Sequence, residues 1–445
     1  MKPTVVVCLV MLAVTLCFSQ YQFGVVCSTD NRFATGPNNS HKLAFSSEIL
    51  DPARDTVTLV FQSQGSIYIC FSGNSAPNPW SRPVAYYPGN EPAIAYGRDG
   101  NRHLVWVMMD TITRALNVFY RVLEYRMLPI NVSFSGNNCH YPDVFADEQG
   151  VAHIVWAESL SGSSQIYYQK ADVNGRIGER FLVSSSGGYC LSPSIEKFGD
   201  TITVIWQEYE PSQPPPYSIV CRRQANGAWL SEEILAQSSE PLSHPALDFS
   251  PGNEGISACW DFNNGGNLEV RFYGGNPGGG FSTPGASTAP VMATVGGVWS
   301  YYFWEEESAG VKDIYSHFYY FMSGWSRGSL RQLFMLNEPV YAPNCLGALV
   351  VWTQGESAPY KVMWGFFGYP ISIAEPVEPR NARLKSMIAS NLLKTPDADQ
   401  SSYLLDITGR KVMRVQAGTN DISRVKPGVY YLQTGNYRER LTVIR

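Results

Sequence analysis

Six stretches of this chain begin with a proline and reach a strand-ending tryptophan 13 to 15 residues later. They run Pro92 to Trp106, Pro142 to Trp156, Pro193 to Trp206, Pro245 to Trp260, Pro290 to Trp304 and Pro339 to Trp352, with tryptophan spacings of 50, 50, 54, 44 and 48. The clearest copies are EPAIAYGRDGNRHLVWV (91–107) and YPDVFADEQGVAHIVWA (141–157). Each tryptophan is followed by a polar loop and an aromatic-rich strand, as in NVFYRV (117–122), QIYYQK (165–170) and DIYSHFYY (313–320). A fourth strand often opens with Trp, as at Trp229 and Trp325. An earlier, degenerate copy holds TVTLVFQ (56–62), with Phe61 in the tryptophan place, then SIYICFS (66–72) and Trp80. That makes seven units.

A sheet of three or four short strands cannot bury both of its faces alone, whereas sheets stacked around an axis can. A period of 44–54 residues fits one four-stranded propeller blade. The sequence therefore predicts an all-β protein: a seven-bladed β-propeller over residues 20–369, or six blades if the first copy is only a cap. A β-solenoid would need shorter coils. The seventh unit lacks a last strand, and Phe23–Cys27 is placed to supply it and close the ring. Composition agrees. Charged residues are 16%, aromatics 13%, and Gly (39) and Pro (29) are plentiful among 445 residues. That balance suits an extracellular β protein. The formal charge of −5 argues against a nucleic-acid binder.

Lys2, the apolar run from Val5 to Cys17 and the small residue Ser19 read as a secretory signal peptide, residues 1–19. Leu16 stands where a lipoprotein signal needs a small residue, and the run is too short to span a bilayer. The chain is expected to be exported, without a membrane span after cleavage. Seven cysteines remain (Cys27, Cys70, Cys139, Cys190, Cys221, Cys259 and Cys345), with no C-x-x-C among them. Most fall in strand-like runs and read as small buried apolar groups. Cys139 and Cys190 share a repeat position, which leaves an inter-repeat disulfide open.

From Pro370 the character changes. Residues 371–445 hold 12 Lys+Arg against 7 Asp+Glu, while the rest of the chain is acidic. Residues 370–445 read as a linker and a small C-terminal β-sandwich, with turns at Thr408-Gly409-Arg410 and Pro427-Gly428. Four ordered blocks run to the last residue: Leu405-Asp406-x-Thr408-Gly409-Arg410, Gly418-x-Asn420-Asp421, Pro427-Gly428-Val429-Tyr430-Tyr431, and Val443-Ile444-Arg445. They resemble the type A C-terminal sorting domain of type IX secretion, although the opening Pro-Asn-Pro block is missing. The resemblance implies export through the periplasm, recognition by the type IX machinery at the outer membrane, and release or attachment at the cell surface. The body, over about residues 40–367, resembles the sialidase-like propellers. It lacks their Asp boxes and F-R-I-P start, and no arginine triad or nucleophile pair can be placed.

Chemistry is sparse elsewhere. The six histidines show no metal-ligand spacing, and no nucleophile elbow or P-loop occurs. His103 and His153 share a position three before the tryptophan and read as packed strand residues. The glycine-rich run 274–280 reads as a flexible connection. One pattern recurs: a carboxylate follows the tryptophan at Asp110, Glu158, Glu208, Asp261 and Glu306. If these open the loops on one face, they suit sugar hydroxyls or a cation such as Ca²⁺; otherwise they are solvated strand ends. The expectation is a non-enzymatic binding protein with no catalytic set, no metal centre and no cofactor, taking a glycan or protein ligand. The rivals are a degenerate sialidase-like glycosidase and a structural or adhesive surface component.

Overall fold

Each repeat tryptophan lies on a second strand, opposite a bulge in the first. Asn90 pairs with Val107 and Ala93 with Val105, so Glu91 and Pro92 together face Trp106. The same two-against-one register recurs at His140/Asp143, Leu191/Ser194, Ser243/Ala246, Thr288/Val291 and Tyr341/Asn344. The proline of the bulge has no N–H to leave unpaired. The residue before it turns left-handed: Glu91, Tyr141, Ser192, His244, Ala289 and Ala342 have φ of 50–55°. Such a conformation is costly for a residue with a Cβ. In the last repeat the bulge proline is Pro343, which corrects the assignment to Pro339, a residue outside the strand Val340–Leu346. The first hairpin there turns already between Leu346 and Leu349, which shortens the distance to Trp352 and displaces the spacing argument.

The computed structural model describes residues 21–45, 57–72, 80–97, 99–250 and, with short breaks, 255–367 and 387–443. Every regular element among them is a strand. The signal segment 1–19 and Trp325 lie outside the described residues, as does most of the glycine run 274–280. The chain divides into two compact bodies, Met1–Tyr369 and Pro370–Arg445.

In the N-terminal body the first sheet holds Leu43–Phe45, Val57–Ser63, Ser66–Ser72 and Val84–Pro88 in that order, and the second holds Asn90–Tyr96, Arg102–Met109, Leu116–Val122 and Ile130–Asn131. The third and fourth repeats share one nine-stranded sheet, joined only at a parallel bridge between Ser164 and Tyr189. The innermost strands touch in sequence order from Leu43–Phe45 to Val340–Leu346, and the last touches the first again. Tyr21–Thr29 is the outer strand of the final sheet. It runs antiparallel to Tyr360–Phe367, from Tyr21 opposite Phe367 to Thr29 opposite Tyr360. Buried between neighbouring sheets are Trp106, Trp156, Trp206, Trp304 and Trp352, among the largest fully enclosed side chains. Tyr87 stacks on Trp106 at 5.3 Å, and Tyr167 on Trp156 at 6.1 Å. His103 and His153 are buried, each 2.8 Å from a tyrosine hydroxyl on the third strand.

All seven described cysteines are free thiols, so the Cys139–Cys190 bridge is not formed. Each of the two instead faces a carboxylate of its own repeat, Glu158 at 3.8 Å and Glu208 at 3.6 Å.

The C-terminal body has a five-stranded sheet, ordered Met387–Ala389, Tyr437–Val443, Gly428–Thr434, Tyr403–Leu405 and Lys411–Arg414. A second sheet pairs Leu392–Thr395 with Gly418–Asp421. Leu404, Val415, Ile422, Val425, Leu432 and Val443 form its core. Asn420 brackets the backbone of Gln416 at 2.8 Å from both its amide atoms, Asp421 caps Ser423, and the Tyr430 hydroxyl donates to Lys426. Arg410 is exposed. Asp406, Gly409, Pro427 and Arg445 lie outside the described residues.

Candidate ligand-binding face

The bulges leave backbone carbonyls facing the centre of the ring of strands, and one segment of the chain answers them. In the first repeat Gln62 donates to the carbonyl of Ala34 and Val60 to that of Lys42. Thr35–His41 therefore occupy the place that two residues fill elsewhere, and this enlarged bulge enters the axis. Asn38 Nδ2 donates to the carbonyls of Pro290 (2.8 Å) and His244 (3.3 Å). Asn39 Nδ2 donates to Pro193 (2.6 Å) and Tyr141 (3.5 Å), Thr35 to Ala342 (2.7 Å), and Lys42 Nζ to Pro92. Six repeats thus give a carbonyl to the plug supplied by the other. Asn344 ties the plug backbone at the Ser40 carbonyl and the Lys42 amide. What remains beside it is a cavity of about 20 Å³, room for about one water.

Charge is concentrated under the plug. His41 Nδ1 lies 2.9 Å from Asp143, whose other oxygen accepts from the Ile195 amide, and His41 Nε2 lies 3.6 Å from Glu196. Burial opposes a charged imidazole, but Asp143 and then Glu196 outweigh it and raise the His41 pKa to about 10. Burial, reinforced by Asp248, pushes Glu196 up to about 8. Burial also pulls Lys42 down to about 7.

The five carboxylates singled out by the sequence do not share one position. Glu158, Glu208, Asp261 and Glu306 lie within second strands, and only Asp110 sits in a turn. Glu208 and Glu306 accept from the indole N–H two residues back, at 3.3 and 3.1 Å, and Gln354 does the same for Trp352. Glu158 accepts from Ser135, Asn137 and Arg180. Asp261 accepts from Ser243 and stands 2.9 Å from His244 Nδ1. Asp110 closes its turn by accepting from Ile112, Thr113 and Asn131. Four are engaged inside their own repeat, and Glu158 also reaches Ser135 and Asn137 on the segment arriving from the second repeat. Among the described residues no group of three His, Cys, Asp or Glu side chains is placed to hold a metal ion.

The face where innermost strands begin and second strands end carries a different set of groups. Tyr189, Tyr209 and Tyr217 stack at 6.3 and 4.8 Å on the fourth repeat. Phe33, Tyr341 and Tyr360 form edge contacts at 5.9 and 6.4 Å, with the Arg32 guanidinium 4.7 Å over Phe33. His244 and His140 are partly exposed imidazoles beside Asp261 and Glu91. Burial opposes the charged form of His244, yet Asp261 outweighs it and its pKa is raised.

Where the closing strand meets the first repeat, a groove of about 520 Å³ opens, lined by Val26, Cys27, Phe61, Tyr68, Trp80 and Arg82 with polar neighbours. Tyr68 stacks on Phe61 at 5.4 Å. The plug and groove were not visible in the sequence. The only trace of the plug is the polar run Thr35-Gly-Pro-Asn-Asn-Ser-His41 standing where other repeats have one residue and a proline.

No protein-family model matches the chain, and no curated protein does. Solved structures do. A puromycin-hydrolysing peptidase of Mycobacterium tuberculosis aligns with a TM-score of 0.50 at 12% identity, over 90% of this chain and 60% of that one. The β-propeller domain of the Trilobed protease from Pyrococcus furiosus gives 0.47 at 10%, over 80% and 99%. A subtype N10 neuraminidase-like protein of A/little yellow-shouldered bat/Guatemala/060/2010 gives 0.38 at 11%, over 78% and 99%. At such identities the likeness is one of fold, and the fold is a β-propeller.

Proposed function

We propose that this chain is an exported, seven-bladed β-propeller that binds a glycan or protein ligand without transforming it, followed by a β-sandwich that serves as a type IX sorting signal. The observation that carries the binding reading is the plug. It occupies the axis with the chain's own donors and leaves the chemistry of this body on an aromatic and imidazole-bearing face. A shallow face of that kind suits recognition of a surface more than enclosure of a reacting bond. The cyclic order of innermost strands supports the count of seven, and the ordered blocks from Leu405 to Arg445 support the sorting role.

The test is to screen the purified chain against a glycan array and a panel of extracellular proteins, with mass spectrometry of any bound sugar. Retention without cleavage is the expected result. Cleavage of a bound sugar would overturn the non-enzymatic reading in favour of a glycosidase, and silence on both panels would leave a structural role. Export is tested separately: in a host with type IX secretion, removal of residues 370–445 should hold the protein inside the outer membrane.

A further inference from the structure

We propose that the groove at the closing seam is a binding subsite for a uronic acid residue of an acidic saccharide, and that its occupation fastens the closing strand to the first repeat. The assignment rests on the reading that this protein binds ligand, and it adds the chemical class and the place. The groove's volume of about 520 Å³ falls in the range of about 300–1,000 Å³ usual for small-ligand sites. Its floor is apolar: the half-buried Tyr68 faces the groove, stacked 16° from parallel on Phe61, and Phe61, Val26 and Trp80 lie buried beneath and beside it. Tyr68 is the aromatic surface on which the C–H face of a pyranose ring rests.

The rim is polar, and three of its groups are uncommitted. Among the described residues the Ser28 hydroxyl, the Gln64 side-chain amide and the Arg82 guanidinium make no hydrogen bond, and Arg82 has no carboxylate partner. Ser63, by contrast, is held between Thr29 and Asp30, and Ser81 accepts from the Phe71 amide. A guanidinium whose planar fork is unused is matched by a carboxylate, which it binds through two parallel hydrogen bonds. The free hydroxyl and amide match ring hydroxyls, which an aromatic acid lacks. A ring with an apolar face, hydroxyls at its edge and one carboxylate is a uronic acid.

The groove has two walls of different origin. Val26, Cys27 and Ser28 belong to the closing strand, whereas Phe61, Tyr68, Trp80 and Arg82 belong to the first repeat. A ligand in contact with both holds them together, and because only the closed ring offers both walls, binding stabilises closure.

The experiment is calorimetric titration of the purified chain with digalacturonate and diglucuronate. Cellobiose and benzoate serve as probes lacking the carboxylate and the hydroxyls respectively. The uronates should bind and the other two should not. Arg82→Ala, a change at an exposed side chain, should weaken uronate binding at least tenfold while leaving the melting temperature of the free protein unchanged. Amide exchange across residues 21–29 should slow when the uronate is bound. Equal uronate affinity in Arg82→Ala, equal binding of cellobiose, or tight binding of benzoate would each overturn the assignment. If array binding persists in Arg82→Ala but is lost in His244→Ala, the seam is not the site and the general binding reading survives. If neither the uronates nor any array or panel member binds, both fail together.

Discussion

Asn38, Asn39, Thr35 and Lys42 satisfy with side chains what a sheet would satisfy with backbone. Each faces a carbonyl that its own strand has turned away from the ladder, and a buried carbonyl without a donor costs about 1–3 kcal/mol. Asn39→Ala is therefore expected to lower the unfolding free energy by about 1–3 kcal/mol, measured by urea denaturation. The charges beneath make a second residue-level prediction. Glu196 has its pKa raised from 4.5 to about 8, so its protonated form is favoured by folding. Stability on its account is full below the unfolded value and falls as pH rises toward about 8. His41, raised to about 10, also loses stability as pH rises, whereas Lys42, lowered to about 7, gains it, and over their shared window these two oppose each other. The Glu196 share of the melting temperature should thus decline between about pH 5 and pH 8, while His103 and His153, whose pKa values burial lowers, gain stability in the lower part of that window, and Glu196→Gln should shift the profile toward a rise with pH. An unchanged slope in the variant would remove Glu196 from the account.

At the scale of strands, the tryptophans were legible because a bulky indole packed against the next sheet must recur at the repeat period. Trp304 is fully enclosed and its indole N–H is bonded to Glu306. Trp304→Ala should cost about 3–5 kcal/mol, read from the shift in denaturation midpoint. The carboxylates were visible as a pattern but not in their strand setting. The strand Ala152–Leu160 continues four residues past Trp156, so Glu158 lies on a paired strand where a loop was expected. The plug was hidden for a different reason: its partners are backbone carbonyls, which every sequence has. Pro339 misled because proline marks both a bulge and the approach to a strand. The closing strand was legible as a missing fourth strand looking for an owner. Deleting residues 21–29 uncovers Val362 and Trp364 and should lower the melting temperature by at least about 5 °C, with faster amide exchange across residues 360–367.

For the molecule as a whole, fold came through the sequence more fully than function, because a period repeats its signal many times and a site states it once. The seam groove draws on the closing strand and the first repeat, which sequence alone does not bring together. The same seam has a mechanical consequence. Tyr21 lies opposite Phe367, so the first and last strands of the N-terminal body leave it side by side. Tension applied between those two points runs across the ladder, and its hydrogen bonds would break in succession, rung by rung, as a zip opens. Heat must loosen all nine residues of Tyr21–Thr29 together, but a modest pull at the right pair of residues can peel them singly.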